Sequence, residues 1–265
     1  MNSVLYIAAR QEGPNSGLWS PVGRLEHIND LYRFSYTKGA ESLRGFQAFP
    51  GMSDIHAVYE SDSLFPLFAN RLPSPSRPEY EAFLAWGGFD PSVAPDPLTL
   101  LGITQGLRQT DTLELFPEPV KNEHGCYQSK FFMHGIRWMH PAALARVARL
   151  KAGEELRLLL EVDNPFDLNA VQLQTTDTQE RLPLGYVPRY LAGDVRHLCE
   201  SCGPNSTIVR VEKVNAHAPM QQRVLCSMTS CWPAHFEPCS DETFQPIGDG
   251  RSSWVSPNIF GGHDE

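Results

Sequence analysis

The pattern of apolar and polar positions divides the chain into two stretches of different rhythm. Between residues 1 and 118 three strand-like runs come first, Val4 to Ala9, Pro21 to Glu26 and Leu31 to Tyr36. A Gly/Pro/Asn loop, Arg10 to Ser20, separates the first two, and the gap from Glu26 to Asp30 is short enough to join the second and third as a hairpin. Helical spacing then takes over. Phe65, Leu67 and Phe68 precede Asn70-Arg71-Leu72-Pro73, and Tyr80, Phe83, Leu84 and Trp86 approach the i, i+3, i+4 repeat of a buried face. Pro78 suits the first turn of that helix and Gly87-Gly88 its end. Asp96 is placed to cap a further helix through Leu101, and Thr112 to Phe116 reads as a closing strand. Residues 119–128 are polar and read as a linker.

Beyond it the rhythm is mostly that of strands. Lys130 to Trp138 predicts a strand, Pro141 to Leu150 a helix, and Lys151-Ala152-Gly153 a tight turn. Strands follow at Leu156 to Val162, Ala170 to Gln174 and Pro183 to Val187, then a helix at Arg189 to Leu198. A strand at Ile208 to Val214 is expected to pair with Val224 to Met228. Five or six strands with two short helices over residues 129–228 predict a small, mostly β, barrel-like domain. Residues 229–265 are rich in proline and lack periodicity, so they are expected to form an irregular tail. The fold class is therefore α+β: a small sheet-plus-helices N-terminal domain, a mostly β barrel and the tail.

One connection has more chemistry than its length requires. Asp163-Asn164-Pro165-Phe166-Asp167-Leu168-Asn169 joins two apolar strands. Pro165 sets one backbone angle, and Asn164 and Asp167 are suited to hydrogen-bond nearby backbone. Phe166 contributes nothing to a turn. Either it plugs the core or it presents a flat apolar face to a ligand.

Composition narrows the classes. With 41% hydrophobic and 20% charged residues the chain is globular, and no apolar run approaches the roughly 18 to 20 residues of a membrane-spanning helix. Met1 to Arg10 lacks the basic flank and the apolar length of a signal peptide, so a cytoplasmic protein is expected. In that compartment Cys126, Cys199, Cys202, Cys226, Cys231 and Cys239 are expected as thiols or metal ligands rather than disulfides. The net charge of −9 opposes binding of polyanions if it is evenly spread. It is not: residues 1–120 hold 8 basic and 14 acidic side chains, 121–230 hold 13 and 11, and 231–265 hold 1 and 6. Only the middle segment leans towards an anionic partner.

The first stretch carries the phrases VGRL (Val22 to Leu25), LYRFSYTKGAE (Leu31 to Glu41), LFPLFANRLPSPSRPEYEAFLAWGGF (Leu64 to Phe89) and DPLTLLGITQG followed by LELFPEP. In order and spacing they resemble the N-terminal subdomain of HipA-type toxin kinases over nearly all of 1–118. The resemblance implies a small sheet with helices that takes part in contacts with partner proteins, so a HipA-type kinase or an antitoxin protein becomes an expected partner. No kinase core follows. A catalytic-loop Asp and Asn behind a His, a metal-binding Asp-Phe-Gly and a Gly-rich phosphate loop are all missing from the sequence. The expected class is accordingly not an enzyme.

The second stretch carries HGIRWM, then KAGEELRLLLEVDNPFDLNAVQLQ, then LPLGYVPRYLA, between about Phe131 and Val214. These phrases resemble the HIRAN domain, found in certain helicase-type DNA-repair proteins and in bacterial proteins. The resemblance implies an OB-like β-barrel that receives the 3′ end of single-stranded DNA, with aromatics stacking on the terminal base, an acid meeting the free 3′-hydroxyl and an arginine on a phosphate. Carried over residue by residue, it assigns the phosphate to Arg137, the stacking wall to Trp138 and Phe166, and the hydroxyl to Asp167. Asn164 belongs to the same DNA-binding string, and Arg189 is placed to meet the next phosphate. Trp138 and Phe166 stand where the family has tyrosines, which keeps stacking and loses phenolic hydroxyls. For each residue a structural role stands beside this one: Phe166 or Trp138 in the core, Asp167 bonding the amides of its own turn, Arg189 merely solvated.

Other chemistry is thinner. Cys199 and Cys202 have the spacing of half a zinc site, with Cys226, Cys231, Cys239 and His235 as possible complements, but no second Cys-x-x-Cys exists, so neither a metal nor a cofactor is expected. Ser53, Asp54 and His56 lack the glycine pattern of a nucleophile elbow. The expected function is a non-enzymatic two-module adaptor whose HIRAN domain binds single-stranded DNA at 3′ ends; the alternative is a protein-binding regulator of a HipA-type toxin kinase.

Overall fold

A computed structural model describes residues 3–11, 19–93, 95–108, 111–178, 180–203, 205–248 and 252–254. The chain begins with β1 (Ser3–Arg10), β2 (Trp19–Ile28), β3 (Leu31–Tyr36), the short helix α1 (Lys38–Ser42) and β4 (Val58–Ser61). Three helices follow, α2 (Pro66–Ala69), α3 (Tyr80–Trp86) and α4 (Pro97–Thr104), before β5 (Leu113–Pro117). The second part holds β6 (Val120–Lys121), β7 (Tyr127–Phe132), α5 (Pro141–Val147), β8 (Glu155–Leu160), β9 (Val171–Thr175), β10 (Pro183–Tyr186), α6 (Arg189–Cys202), β11 (Ile208–Val214) and β12 (Val224–Ser230). A last strand, β13 (Ser252–Trp254), lies in the C-terminal region.

These elements form two compact units. The first comprises residues 1–80, 95–118 and 240–265, the second residues 81–94 and 119–239. Two segments thus fall outside their expected places. Most of α3, read as part of the first domain, is counted with the second unit, and the final residues are counted with the first.

The first unit is a six-stranded sheet in the order β13-β4-β3-β2-β1-β5. The expected hairpin between β2 and β3 is present, with Ile28 opposite Leu31. Its two loop residues, Asn29 and Asp30, both have positive φ (52° and 62°), the geometry that matches the right-handed twist of the flanking strands. Phe34 of β3 anchors the core: its ring lies 4.9 Å from that of Tyr36, 5.7 Å from Phe68 and 5.8 Å from Phe49. Asp96 caps α4 as its position suggested, its carboxylate accepting the Thr99 N–H at 3.0 Å. Arg71 explains the polar letters of the Asn70 to Pro73 string. Its buried guanidinium donates to Gly106 O (2.8 Å) and pairs with Asp111 (2.6 Å), fastening the approach to β5. The C-terminal region is not wholly irregular: Lys38 N–H donates to Gln245 O, Ile247 N–H donates to Tyr36 O, and β13 pairs in parallel with β4.

The second unit is a seven-stranded sheet in the order β10-β9-β8-β11-β12-β7-β6. It curls, because His134, just beyond β7, bridges to Tyr186 at the end of β10. Period-two alternation builds its core: in β9, Val171, Leu173 and Thr175 are buried while Gln172 and Gln174 lie on the other face. Helix α6 buries Tyr190, Leu191, Val195 and Leu198. The segment 119–128, read as a linker, contains β6 and the first residues of β7, paired in register Val120 to Gln128. The strand expected through Trp138 stops at Phe132. Gly135 (φ 73°) turns the chain out of the extended conformation, and Ile136–Trp138 is a single tight turn.

The thiol expectation is corrected for two cysteines. Cys202, at the end of α6, is disulfide-bonded to Cys231, just beyond β12, with Cα atoms 6.0 Å apart. The half zinc site read at Cys199 and Cys202 is therefore not formed, and no cluster of three or more metal-ligating side chains exists among the described residues. Beyond the disulfide, Trp232 and Phe236 pack near the buried Tyr127, and Cys239 N–H donates to Asp194 of α6 (3.1 Å). A cross-link over 29 residues restricts the unfolded chain by about 3.6 kcal/mol on loop entropy. Cys231→Ser is expected to lower unfolding free energy by roughly 3 to 4 kcal/mol, read from urea denaturation, with reductant producing the same loss in the wild type and none in the variant.

Candidate nucleic-acid interface

The loop between β8 and β9 closes on its own backbone. Glu161 N–H donates to Ala170 O (3.0 Å), and Ala170 N–H donates to Asp167 O (3.1 Å). Inside that frame two side chains take over. The Asn164 side-chain oxygen accepts the N–H groups of Phe166 (2.9 Å) and Asp167 (3.1 Å), and Asp167 Oδ1 accepts that of Asn169 (2.9 Å). Asn and Asp do this because their short side chains mimic a backbone turn. Phe166 stands at the apex held by Asn164 and is 74% exposed, so it does not plug the barrel. Val162 and Leu168 on the same loop are exposed as well.

Asp167 does more than brace its turn. Its second oxygen accepts from Arg189 Nε at 3.2 Å, and both side chains are largely shielded from solvent. Arg189 is the first residue of α6, so this ion pair ties the loop to the helix. Its Nη1 is buried with no hydrogen-bond partner. Arg189, expected either to meet the next phosphate or to be solvated, is not solvated: its Nε is committed to Asp167.

The base of the loop rests on Glu161. Oε1 accepts from Gln172 Nε2 (2.7 Å) and from the Tyr186 hydroxyl (3.0 Å), while Oε2 accepts from Asn164 Nδ2 (2.5 Å). The backbone oxygen of Glu161 accepts from Arg196 Nη2 of α6 (2.5 Å). Burial, together with the adjacent Glu161 carboxylate, raises the Tyr186 phenol above its usual range, partly offset by the Gln172 hydrogen bond, so it is a donor here and not a phenolate.

Tyr186 also reaches the other half of the proposed site. Its backbone exchanges two 2.9 Å hydrogen bonds with His134. A Cβ on Gly135 would lie 3.0 Å from the Tyr186 ring, and one on Gly185 would lie 2.5 Å from His134 O, so two glycines permit this seam to close. Past Gly135, Ile136 is buried while Arg137 and Trp138 turn outward, Trp138 to 75% exposure. The Arg137 guanidinium carbon sits 4.7 Å from the Trp138 ring centroid. The six predicted residues thus form two groups. Arg137 stacks on Trp138; Asn164, Phe166, Asp167 and Arg189 share the loop and its brace; Tyr186 and Glu161 join them.

Glu161, Gln172, Tyr186 and Arg196 were not singled out from the sequence. Tyr186 belongs to the Leu-Gly-Tyr-Val-Pro string, and Glu161 is the one acid in the run Leu156 to Val162, which is the only trace these partners leave before the strands are paired.

Two measurements check this account. Glu161→Gln turns one acceptor into a donor facing donors, leaving at least one hydrogen bond unmet. It is expected to cost about 1 to 3 kcal/mol of stability and to speed amide exchange at Phe166 and Asp167. Unchanged exchange at both would show that the carboxylate does not hold the loop. His134 provides a pH signature: burial pushes its imidazole down from 6.5 to about 4. The unfolded chain therefore binds a proton that the folded chain refuses between those values. Stability is expected to be full above pH 6.5, to fall as pH drops towards 4 and to lose nothing further from this group below that. His134→Gln should flatten that part of a plot of urea midpoint against pH.

Comparison with known proteins follows the same division. Among curated proteins none matches the chain. A crystal structure of a protein from Lactobacillus plantarum is similar at 20% identity, over 40% of this chain and 97% of that one, with a TM-score of 0.33. The crystal structure of the HIRAN domain of human HLTF is similar at 16% identity, over 41% of this chain and 81% of that one, with a TM-score of 0.29. The HipA-like reading of residues 1–118 rests on sequence resemblance alone. Residues 127–229, which lie within the second unit and include all six candidate residues, match the family model of the HIRAN domain.

Proposed function

We propose that the second unit binds single-stranded DNA and receives a 3′ end at the loop 161–170. The observation that carries the reading is a pair of large aromatic rings, Trp138 and Phe166, each about three-quarters exposed on rigidly braced turns. A ring left in water forgoes the stabilisation of burial; Trp138 carries Arg137 against its ring and is still 75% exposed, and neither turn needs its ring for its own geometry. Stacked bases cover such rings in a sequence-tolerant way. Arg137, planar and charged beside Trp138, is suited to a phosphate oxygen.

Asp167 is suited to the strand end. Each carboxylate oxygen already accepts one hydrogen bond, from Asn169 N–H and from Arg189, and each retains a lone pair. A 3′-hydroxyl can donate to it, whereas a 3′-phosphate would bring like charge against it. In this reading Arg189 is a positioning residue that aims the carboxylate. The chain acts without catalysis, and the first unit is the protein-facing module of an adaptor, with a HipA-type kinase or antitoxin as the class of partner. No helix among the described residues is long and apolar enough to cross a membrane.

The test is fluorescence anisotropy with a labelled 12-mer carrying either a 3′-hydroxyl or a 3′-phosphate. The hydroxyl form is expected to bind more tightly. Phe166→Ala and Trp138→Ala should each weaken it by about 1 to 3 kcal/mol, roughly 5- to 150-fold. Asp167→Ala should erase the difference between the two ends. Equal affinity of the two oligonucleotides for the wild type would refute end recognition.

A further inference from the structure

At the opposite end of β8 from the loop, the turn Lys151–Glu154 and the last turn of α5 enclose an open recess of about 680 Å³, lined by Arg146, Arg149, Lys151, Ala152, Gly153, Glu154 and Glu180. Of its two acids, Glu154 is engaged, whereas the Glu180 carboxylate has no partner among the described residues. Glu154 pairs with Arg146 through one oxygen and accepts the Lys151 N–H through the other (3.1 Å). Gly153 N–H is turned away to Val211 O at 2.7 Å. Among the described residues Arg149 is engaged only through Nε, on Ala145 O (3.3 Å), and neither the fork of its guanidinium nor the Lys151 ammonium meets a partner. No aromatic or large aliphatic side chain lines the recess, so a small apolar ligand has nothing to pack on. With Arg146 and Glu154 paired, the two cations Arg149 and Lys151 outnumber the one remaining acid, Glu180, so the recess is net positive and suits an oxyanion that approaches from solvent.

We infer that this recess holds a backbone phosphate of the nucleic-acid strand, through Arg149 and Lys151, as a contact separate from the loop 161–170. The inference rests on the DNA-binding reading above and extends it along the strand. The six residues of β8 rise about 3.3 Å each, which places the two sites about 20 Å apart. At the rise of about 3.4 Å per nucleotide of a fully stacked strand that distance is at most roughly six nucleotides, and fewer where the strand is extended. Oligonucleotides long enough to span it reach both sites; a trinucleotide reaches one.

The experiment compares wild type with the double variant Arg149→Ala/Lys151→Ala, using a labelled trinucleotide and the 12-mer over a range of salt. Both substitutions are at exposed positions, and an unchanged urea midpoint confirms that the fold is retained. The 12-mer is expected to lose affinity, and its slope of log K against log salt to fall by about 0.7 for each phosphate contact removed. The trinucleotide should bind as before, and the preference for a 3′-hydroxyl should persist. Glu180→Gln, which removes an acid from the wall, should tighten the 12-mer. An unaltered slope in the double variant, with end preference intact, would overturn the recess and leave the loop reading standing. A reduced slope without end preference in the wild type would do the reverse. No binding of either oligonucleotide by the wild type at low salt would overturn both.

Discussion

The carboxylate of Glu161 sits where a strand, a loop and a barrel seam meet, and it accepts a hydrogen bond from each. Gln172 reaches it from the neighbouring strand, Tyr186 from the edge strand that closes the sheet, and Asn164 from the loop itself. Charge-assisted hydrogen bonds of this kind are stronger than neutral ones, and a partly buried carboxylate without them would be expensive. The cost of leaving any one unmet is what makes the three partners move together. Asn164, held at its amide by Glu161, presents its oxygen to the N–H groups of Phe166 and Asp167, so the position of the exposed ring is fixed by side chains on the sheet face opposite the core.

That arrangement separates rigidity from exposure. A loop is ordinarily mobile because its backbone groups bond to water. Here five N–H groups of 161–170 are satisfied within the loop and the Glu161 carbonyl by Arg196, while Val162, Phe166 and Leu168 remain outside. The same division is seen at the Gly135 turn, where Ile136 is buried and Arg137 and Trp138 are not. Preorganised aromatics lose little freedom on meeting a base, which favours affinity without requiring a deep pocket.

Much of this was legible along the chain, for identifiable reasons. β1, β2, β3 and β5 follow from apolar runs bounded by turn residues, and α4 from Asp96 with Pro97 behind it. The β8 to β9 hairpin follows from alternation on both sides of a proline-containing turn. Other features needed contacts between residues far apart in sequence. Lys130 to Trp138 is apolar enough for one long strand, and only the left-handed conformation at Gly135 ends it. Segment 119–128 is polar because β6 is a two-residue edge strand, which composition does not distinguish from a linker. The C-terminal residues carry no period because β13 is short and its partner β4 lies nearly two hundred residues earlier. Cys202 shares a helix with Cys199, and its disulfide partner Cys231 is brought near by the pairing of β11 with β12, which no local spacing encodes.

By itself, the sequence determined the α+β class and the turn at 163–169, since periodicity and turn chemistry are local properties, and its resemblance to the HIRAN domain singled out Arg137, Trp138, Phe166 and Asp167 as candidates. The tertiary structure alone decided which of those residues are bare and which are engaged. Phe166 and Trp138 face water because their turns are braced without them. Arg189 is drawn to Asp167 because α6 begins beside the loop, and burial at the seam holds His134 neutral. Exposure and pairing depend on what the rest of the chain packs against a residue, and that information resides in the fold.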